Sequence, residues 1–262
     1  MIETVIKNKE YIVDIIDQGY EGEGIAKIDG FTVFVEGAIK GEKVKILIVK
    51  VTSSHAFGKI LEIIDKSDKR IEADCSTYKR CGGCNLRHIN YKDTLEIKKN
   101  TVQNLVNKSL QNKTEVESTI GMEKPFHYRN KAQYPVGIGK DGEPTLGVFA
   151  KRTHEVISVD KCFIQNEQCE QLAKYIFEFI KENKISIYNE QNGKGLIRHI
   201  VVRIGVNTNE LMAAIVINGR EIPNEKLLVG NILEKFPQVK TIVKNINTKN
   251  TNVILGKENI IL

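Results

Sequence analysis

Residues 19 to 46 read GYEGEGIAKIDGFTVFVEGAIKGEKVKI, in which short apolar runs alternate with turns rich in glycine and charge. The same pattern extends from residue 10 to residue 64, and β-branched residues are enriched in the apolar runs. About five short strands at close spacing are typical of a small all-β barrel. The N-terminal region is therefore predicted to be an OB-like barrel, with SDKR at 67–70 as its exit linker.

Three of the five cysteines lie within CSTYKRCGGCNLRHINY at 75–91. An odd total of thiols cannot form a closed disulfide framework, so this cluster favours metal coordination. A fourth ligand is most plausible at a strand-to-helix junction, SVDKCFIQ, with His88 and Cys169 as alternatives. Cys169 falls on the apolar stripe of a predicted helix and is interpreted as a core residue. The predicted ligands are Cys75, Cys81, Cys84 and Cys162.

The spacing of these cysteines favours an iron–sulfur cluster over zinc. Structural zinc usually takes two separated Cys-x2-Cys pairs. Cys-x5-Cys-x2-Cys with one distant cysteine is typical of ligands that surround a group larger than a single metal ion. The glycines at 82 and 83 allow backbone amides to approach cluster sulfides closely. A [4Fe–4S] cluster is predicted, and zinc remains the alternative.

The rest of the chain alternates helices and strands. Apolar residues at helical spacing predict helices over 92–110, 166–183 and 224–235, and β-rich segments fill the region between 131 and 255. With 262 residues and 41% hydrophobic content, the chain can build at least two packed domains. The fold class is predicted to be α+β: the five-stranded barrel, a metal-cluster loop, and a mixed, mainly antiparallel sheet with helices.

Charge and aromatic residues indicate a nucleic-acid partner. The net charge is +6, and residues 111–262 carry 21 Lys and Arg against 17 Asp and Glu. Basic residues interleave with aromatics or histidine at 126–134, 149–155 and 196–203, which predicts a phosphate-contacting face. The candidate RNA-binding residues there are Tyr128, Arg129, Lys131, Arg198, His199 and Arg203. Phe31, Phe34 and Phe57 are candidate base-stacking residues in the barrel.

Two other site classes are excluded by sequence context. GIGKDG at 137–142 matches the dinucleotide-binding glycine pattern, but a strand follows it where a helix would be required, so it is interpreted as a hairpin turn. The N-terminus has scattered charges and no long apolar run, so neither a signal peptide nor a membrane span is expected there. A soluble, cytoplasmic protein with no membrane partner is predicted.

Four stretches of the sequence together resemble a known family. They are residues 19–46, the cysteine loop at 75–91, FHYRNKAQYPV and DKCFIQ. The first stretch resembles a TRAM domain, and the whole resembles the S-adenosylmethionine-dependent RNA uracil-5-methyltransferases, especially those that modify large-subunit ribosomal RNA. The resemblance implies that Cys75, Cys81, Cys84 and Cys162 hold a [4Fe–4S] cluster. It also implies a loop of ribosomal RNA as the partner.

The resemblance further implies a division of the chain: a TRAM domain at 1–66, the cluster loop at 67–92, a helical segment at 93–119 that packs on a methyltransferase domain, and a central RNA-recognition domain at 120–255. Residues 256–262 are expected to begin the methyltransferase domain, which the resemblance places beyond this chain. No catalytic residue is predicted here, because methylation at C5 needs a thiolate that adds to C6, and no cysteine is left over for that role. The chain alone is expected to be inactive.

A stand-alone RNA-binding iron–sulfur or zinc protein without catalytic activity is the alternative function. Radical methylthiotransferases also carry TRAM domains, but they require Cys-x3-Cys-x2-Cys, which this chain lacks.

Overall fold

The computed structural model describes residues 5–110 and 114–262. The chain divides into two compact units. The first comprises residues up to 78 together with 83–123, and the second comprises 79–82 and 124–262.

The first unit contains a six-stranded sheet and one helix. Its elements are β1 (Glu10–Asp14), β2 (Asp17–Gln18), β3 (Gly24–Ile28), β4 (Phe31–Glu36), β5 (Lys43–Val51), β6 (His55–Asp65) and α1 (Tyr91–Ser109). The strand order is β1-β5-β6-β4-β3-β2, and only β4 and β6 run parallel. Alternate residues of β4 and β5 are buried, which is the pattern of strands with one face on a core.

The strands of the predicted five-stranded OB-like barrel are present, but they form a six-stranded sheet that is not a closed barrel. The chain passes from pairing with β5 to pairing with β3 at Ile15 and Ile16, where the backbone N–H of Ile15 donates to Glu42 and that of Ile16 donates to Ile25. This bend interrupts the ladder, so the sheet has two edges, β1 and the two-residue strand β2. The alternation of apolar and polar residues predicts the strands and their limits. It does not predict whether the strands close into a barrel, because closure depends on the hydrogen bonds at this one bend.

A buried ion pair attaches the segment after β6 to this sheet. Arg70 donates to both carboxylate oxygens of Glu42, at 2.6 and 2.7 Å, and to the carbonyl of Gly37 at 2.6 Å. Glu42 is 1% exposed and also accepts from the backbone N–H of Ile39. Burial alone would raise the Glu42 pKa, but the hydrogen bonds and positive charge outweigh it and hold that pKa below its usual value.

The second unit is a seven-stranded sheet with two helices. Its elements are β7 (Lys131–Ile138), β8 (Pro144–Phe149), β9 (Val156–Ser158), α2 (Glu167–Glu182), β10 (Ile197–Gly205), β11 (Glu210–Ile217), α3 (Glu225–Lys235), β12 (Val239–Ile246) and β13 (Glu258–Ile261). The order is β13-β12-β11-β10-β7-β8-β9. Only β11 and β12 are parallel, and α3 makes the crossover between them.

The main core of this unit lies between the sheet and α2. The helix buries its apolar stripe, including Cys169, Leu172 and Ile176, against β10 residues such as Ile200 and Val202. The other sheet face carries a smaller cluster formed by Val201, Ala214, Val216 and Val243. Because successive strand residues point to opposite faces, β10 is buried on both sides along most of its length.

Several sequence predictions are confirmed at this level. The three predicted helices agree with α1, α2 and α3 to within one residue at each end. GIGKDG forms the β7–β8 hairpin, where Gly142 has φ +85° and the N–H of Gly139 donates to Glu143. Residues 256–262 contain β13, which pairs antiparallel with β12; their assignment to the start of a methyltransferase domain stays a prediction.

Candidate nucleic-acid interface and cysteine loop

Three rings form an aromatic cluster, here meaning Phe34, His55 and Phe57, on the outer face of the first sheet. The ring centroids of Phe34 and Phe57 are 5.9 Å apart, and His55 lies 5.4 Å from Phe34 and 5.1 Å from Phe57. The side-chain nitrogen of Lys50 is 5.9 Å from the Phe57 ring centroid. Neighbouring β4 and β6 residues, such as Val33 and Ala56, are fully buried, so alternation turns the three rings away from the core. Half-buried rings beside a cation are suited to stacking on bases.

Phe31 lies on the other face. It has the same parity along β4 as Val33 and Val35, and it packs partly buried against the core cluster of the first unit. Its prediction as a base-stacking residue therefore finds no support in this geometry. Sequence reasoning missed His55. This residue lies two positions before Phe57 on β6, and that spacing alone would have placed both side chains on one face.

Lys131 and Arg203 form a cationic pair on the second sheet. They are cross-strand partners on β7 and β10, and both are exposed. Within residues 5–110 and 114–262, neither side chain makes a salt bridge. Like charges directly opposite each other destabilise a sheet, so the pair has a cost that an anionic ligand would relieve.

Tyr128 and Arg129 precede β7 and lie at the surface. Tyr128 is 51% exposed. The backbone of Arg129 accepts from the N–H of Asn166 and donates to Ile164, which holds this segment beside residues 164–166. The two side chains are therefore presented from a fixed backbone.

Arg198 and His199 are buried, contrary to the surface role predicted for them. Arg198 is 4% exposed, donates to the carbonyls of Asn247 and Lys249 at 2.8 Å, and stacks on Tyr188 at 4.3 Å. His199 is 6% exposed, and burial together with the Arg198 charge lowers its pKa to about 4, so its ring is neutral near pH 7. Neither residue is available for a surface phosphate.

The loop after Cys75 is fixed by a tyrosine. The hydroxyl of Tyr78 donates to the carbonyl of Asn85 at 2.8 Å and lies 2.6 Å from Nδ1 of His88. Burial raises the Tyr78 pKa to about 12, so the hydroxyl stays protonated. His88 is 5% exposed, and its Nδ1 is the nitrogen that makes this contact.

The four candidate ligand cysteines are half-buried, and all five thiols are free of disulfides. Cys75 and Cys84 belong to the first unit, whereas Cys81 and Cys162 belong to the second. Cys81 forms a backbone bridge to Ala150, and the N–H of Cys162 donates to Glu170. No group of three metal-ligating side chains occurs among the described residues. Four thiols are the correct donor chemistry for a cluster, and the cluster remains a prediction.

Cys169 is a core residue, as predicted. It is fully buried within the α2 stripe, and burial raises its pKa to about 11. A thiol in this state is a poor nucleophile and a poor metal ligand.

Residues 5–61 match the TRAM domain. The match lies within the predicted range of 1–66 and contains every strand of the first sheet except the end of β6. The aromatic cluster is therefore part of the TRAM domain. No helix within the described parts of the chain is both long and apolar enough to cross a membrane.

Over nearly its whole length the chain is similar to bacterial proteins named uncharacterized RNA methyltransferases. It is 46% identical over 261 residues to one from Clostridium acetobutylicum, covering 98% of this chain and 56% of that protein. It is 41% identical over 258 residues to one from Clostridium tetani, again covering 98% and 56%. A Staphylococcus epidermidis relative is 38% identical over 262 residues, covering 100% and 58%. The chain thus spans little more than half the length of these relatives.

The fold is similar to that of a solved methyltransferase structure. The Pyrococcus abyssi tRNA (uracil-54, C5)-methyltransferase, solved in complex with S-adenosyl-L-homocysteine, gives a TM-score of 0.67 at 21% identity, covering 95% of this chain and 55% of that chain. At this identity the similarity concerns the fold alone.

Proposed function

We propose that this chain is the RNA-recognition part of an RNA methyltransferase that transfers a methyl group from S-adenosylmethionine to C5 of uracil. The observation that carries the proposal is the aromatic cluster on the outer face of a TRAM domain, in a chain similar to RNA methyltransferases over 98% of its length. The same similarity does not favour the alternative of a stand-alone RNA-binding protein.

The reaction itself belongs to the whole protein. Uracil C5 becomes nucleophilic only after a thiolate adds to C6, and the target base must leave its stack to be reached. Cys169 cannot supply that thiolate because it is fully buried with a raised pKa. The role proposed for this chain is to hold the RNA near the target uridine, with a loop of large-subunit ribosomal RNA as the substrate expected from the resemblance.

Two further parts belong to the proposal. Cys75, Cys81, Cys84 and Cys162 supply the ligands of a [4Fe–4S] cluster with a structural role. In addition, α1 provides a contact for the methyltransferase domain, because the side chains of Val102 and Leu105 on this helix, and of Leu110 directly after it, are about half exposed.

Replacement of one ring of the cluster tests RNA recognition. We expect Phe57→Ala to weaken binding of a labelled uridine-rich single strand about tenfold, since stacking of one base on an aromatic ring is worth ~1–3 kcal/mol. Fluorescence anisotropy measures the affinity. Tyr20→Ala is the matched control, because Tyr20 is 82% exposed in the same unit and lies outside the aromatic cluster. Equal affinities for both variants and the unmodified chain would remove the aromatic cluster from RNA recognition.

A further inference from the structure

The second sheet carries a row of four side chains aligned across four strands. Lys131 on β7 pairs with Arg203 on β10, Arg203 pairs with Met212 on β11, and Met212 pairs with Thr241 on β12. Cross-strand partners lie on the same face, and neighbouring strands are about 4.8 Å apart. The four residues, called the sheet row below, therefore form one straight line on one face.

We propose that the sheet row binds single-stranded RNA, with Lys131 and Arg203 on phosphates and Met212 against a base. This inference rests on the proposed RNA-recognition function and assigns it a second surface. Lys131, Arg203 and Met212 are exposed and Thr241 is half-buried, whereas the residues two positions further along the central strands, Val201, Ala214 and Val243, are buried.

The remainder of this face is covered by the chain itself. Ile254 packs on the small apolar cluster of this face, and Arg198 holds the carbonyls of Asn247 and Lys249 at the start of the same loop. Arg198 thus acts as an anchor for the loop. Arg203, on the same strand, is left exposed at the open end of the face.

The positive charge of the sheet row favours an anionic ligand. Lys131 and Arg203 are two adjacent cations that no acidic side chain of the described residues neutralises. Consecutive phosphates of one strand would neutralise both, with release of the counterions that the phosphates hold. An RNA strand carries its bases beside a backbone of alternating phosphates and riboses, so phosphates can lie on the two cations while a base contacts the thioether and the hydroxyl that follow them in the row.

The apolar part of the row favours an unpaired strand over a duplex. Met212 is 36% exposed, and its soft thioether makes favourable contacts with aromatic rings. Only unstacked bases offer their flat faces to such a side chain, whereas duplex RNA is contacted mainly through its backbone and shape. Gln133 lies beside the row on β7, half-buried, and its amide can donate to or accept from a base edge.

The test measures binding of a fluorescein-labelled oligouridylate to the complete chain at several salt concentrations. Lys131→Gln and Arg203→Gln should each lower the slope of log affinity against log salt by about 0.7, the value for one phosphate of a single strand. Met212→Ala should weaken binding several-fold and leave the slope unchanged. Lys240→Gln is the matched control. This exposed lysine precedes Thr241 on β12 and lies on the opposite face of the sheet, so its replacement should not change the slope.

Each other outcome overturns the inference. The unmodified chain could bind the oligouridylate while the Lys131 and Arg203 variants behave like Lys240→Gln. In that case the sheet row does not bind RNA, and RNA recognition through the aromatic cluster stands. If the unmodified chain does not bind, both proposals fail. Equal binding of duplex RNA with the same slope changes would contradict single-strand selection. A change in self-association on sedimentation, with RNA affinity unchanged, would make the row a protein interface.

Discussion

Cys162 and Cys169 lie seven positions apart, and their thiols have opposite surroundings. Cys162 is half-buried in the segment before α2, whereas Cys169 is fully buried in the α2 core. Helical periodicity was sufficient to separate the two from sequence, because Cys169 shares its stripe with Leu172 and Ile176. Periodicity does not test the proposed ligand set of Cys75, Cys81, Cys84 and Cys162, which stays a prediction.

The cysteine proposal predicts a specific loss. Protein purified without oxygen should contain about four iron and four sulfide per chain, and Cys162→Ser should lose most of both because one of four thiolate ligands is missing. Iron and acid-labile sulfide assays measure this. Cys169→Ala is the control and should keep the iron, since that thiol lies in the apolar core. Stoichiometric zinc without iron in the unmodified protein would contradict the cluster.

At the scale of elements, periodicity predicted what is local and missed what depends on distant partners. The three helices and the β7–β8 hairpin follow from apolar spacing and turn residues. The open edge of the first sheet does not, because it depends on where Ile15 and Ile16 find hydrogen-bond partners. Arg198 was misjudged for a related reason: its partners, the carbonyls of Asn247 and Lys249, lie about fifty residues away.

The exposed stripe of α1 predicts an unusual tolerance. Leu105 is 52% exposed, so Leu105→Gln should change the free energy of unfolding by less than about 0.5 kcal/mol. Leu172→Ala in the buried stripe of α2 should cost about 2–5 kcal/mol by leaving a cavity. Urea unfolding compares the two variants. A cost of more than about 2 kcal/mol for Leu105→Gln would show that this face is already packed in the chain.

At the scale of the molecule, the Glu42–Arg70 pair should govern acid stability. Arg70→Ala leaves a buried carboxylate without its partner and should destabilise the chain by about 3 kcal/mol near neutral pH. The control Lys40→Ala removes an exposed pair with Asp17 and should cost less than about 1 kcal/mol. Thermal unfolding measures both.

The pH dependence of that pair has a definite sign. Because the Glu42 pKa is lowered in the folded protein, its contribution is fully present above the ordinary glutamate pKa of about 4.3 and is lost as pH falls through the lowered value. The stability difference between the unmodified chain and Arg70→Ala should therefore shrink on acidification. A difference that stays constant down to about pH 3 would contradict this assignment.

RNA is expected to contact this chain at the aromatic cluster of its TRAM domain and at the sheet row. Photo-crosslinking of 4-thiouridine-containing RNA to the complete chain, followed by peptide mass spectrometry, tests it most directly. We expect cross-links in the peptides that contain His55 and Phe57 and in the peptide that contains Met212. Cross-links confined to other segments, such as the α3 helix at Glu225–Lys235, would contradict it.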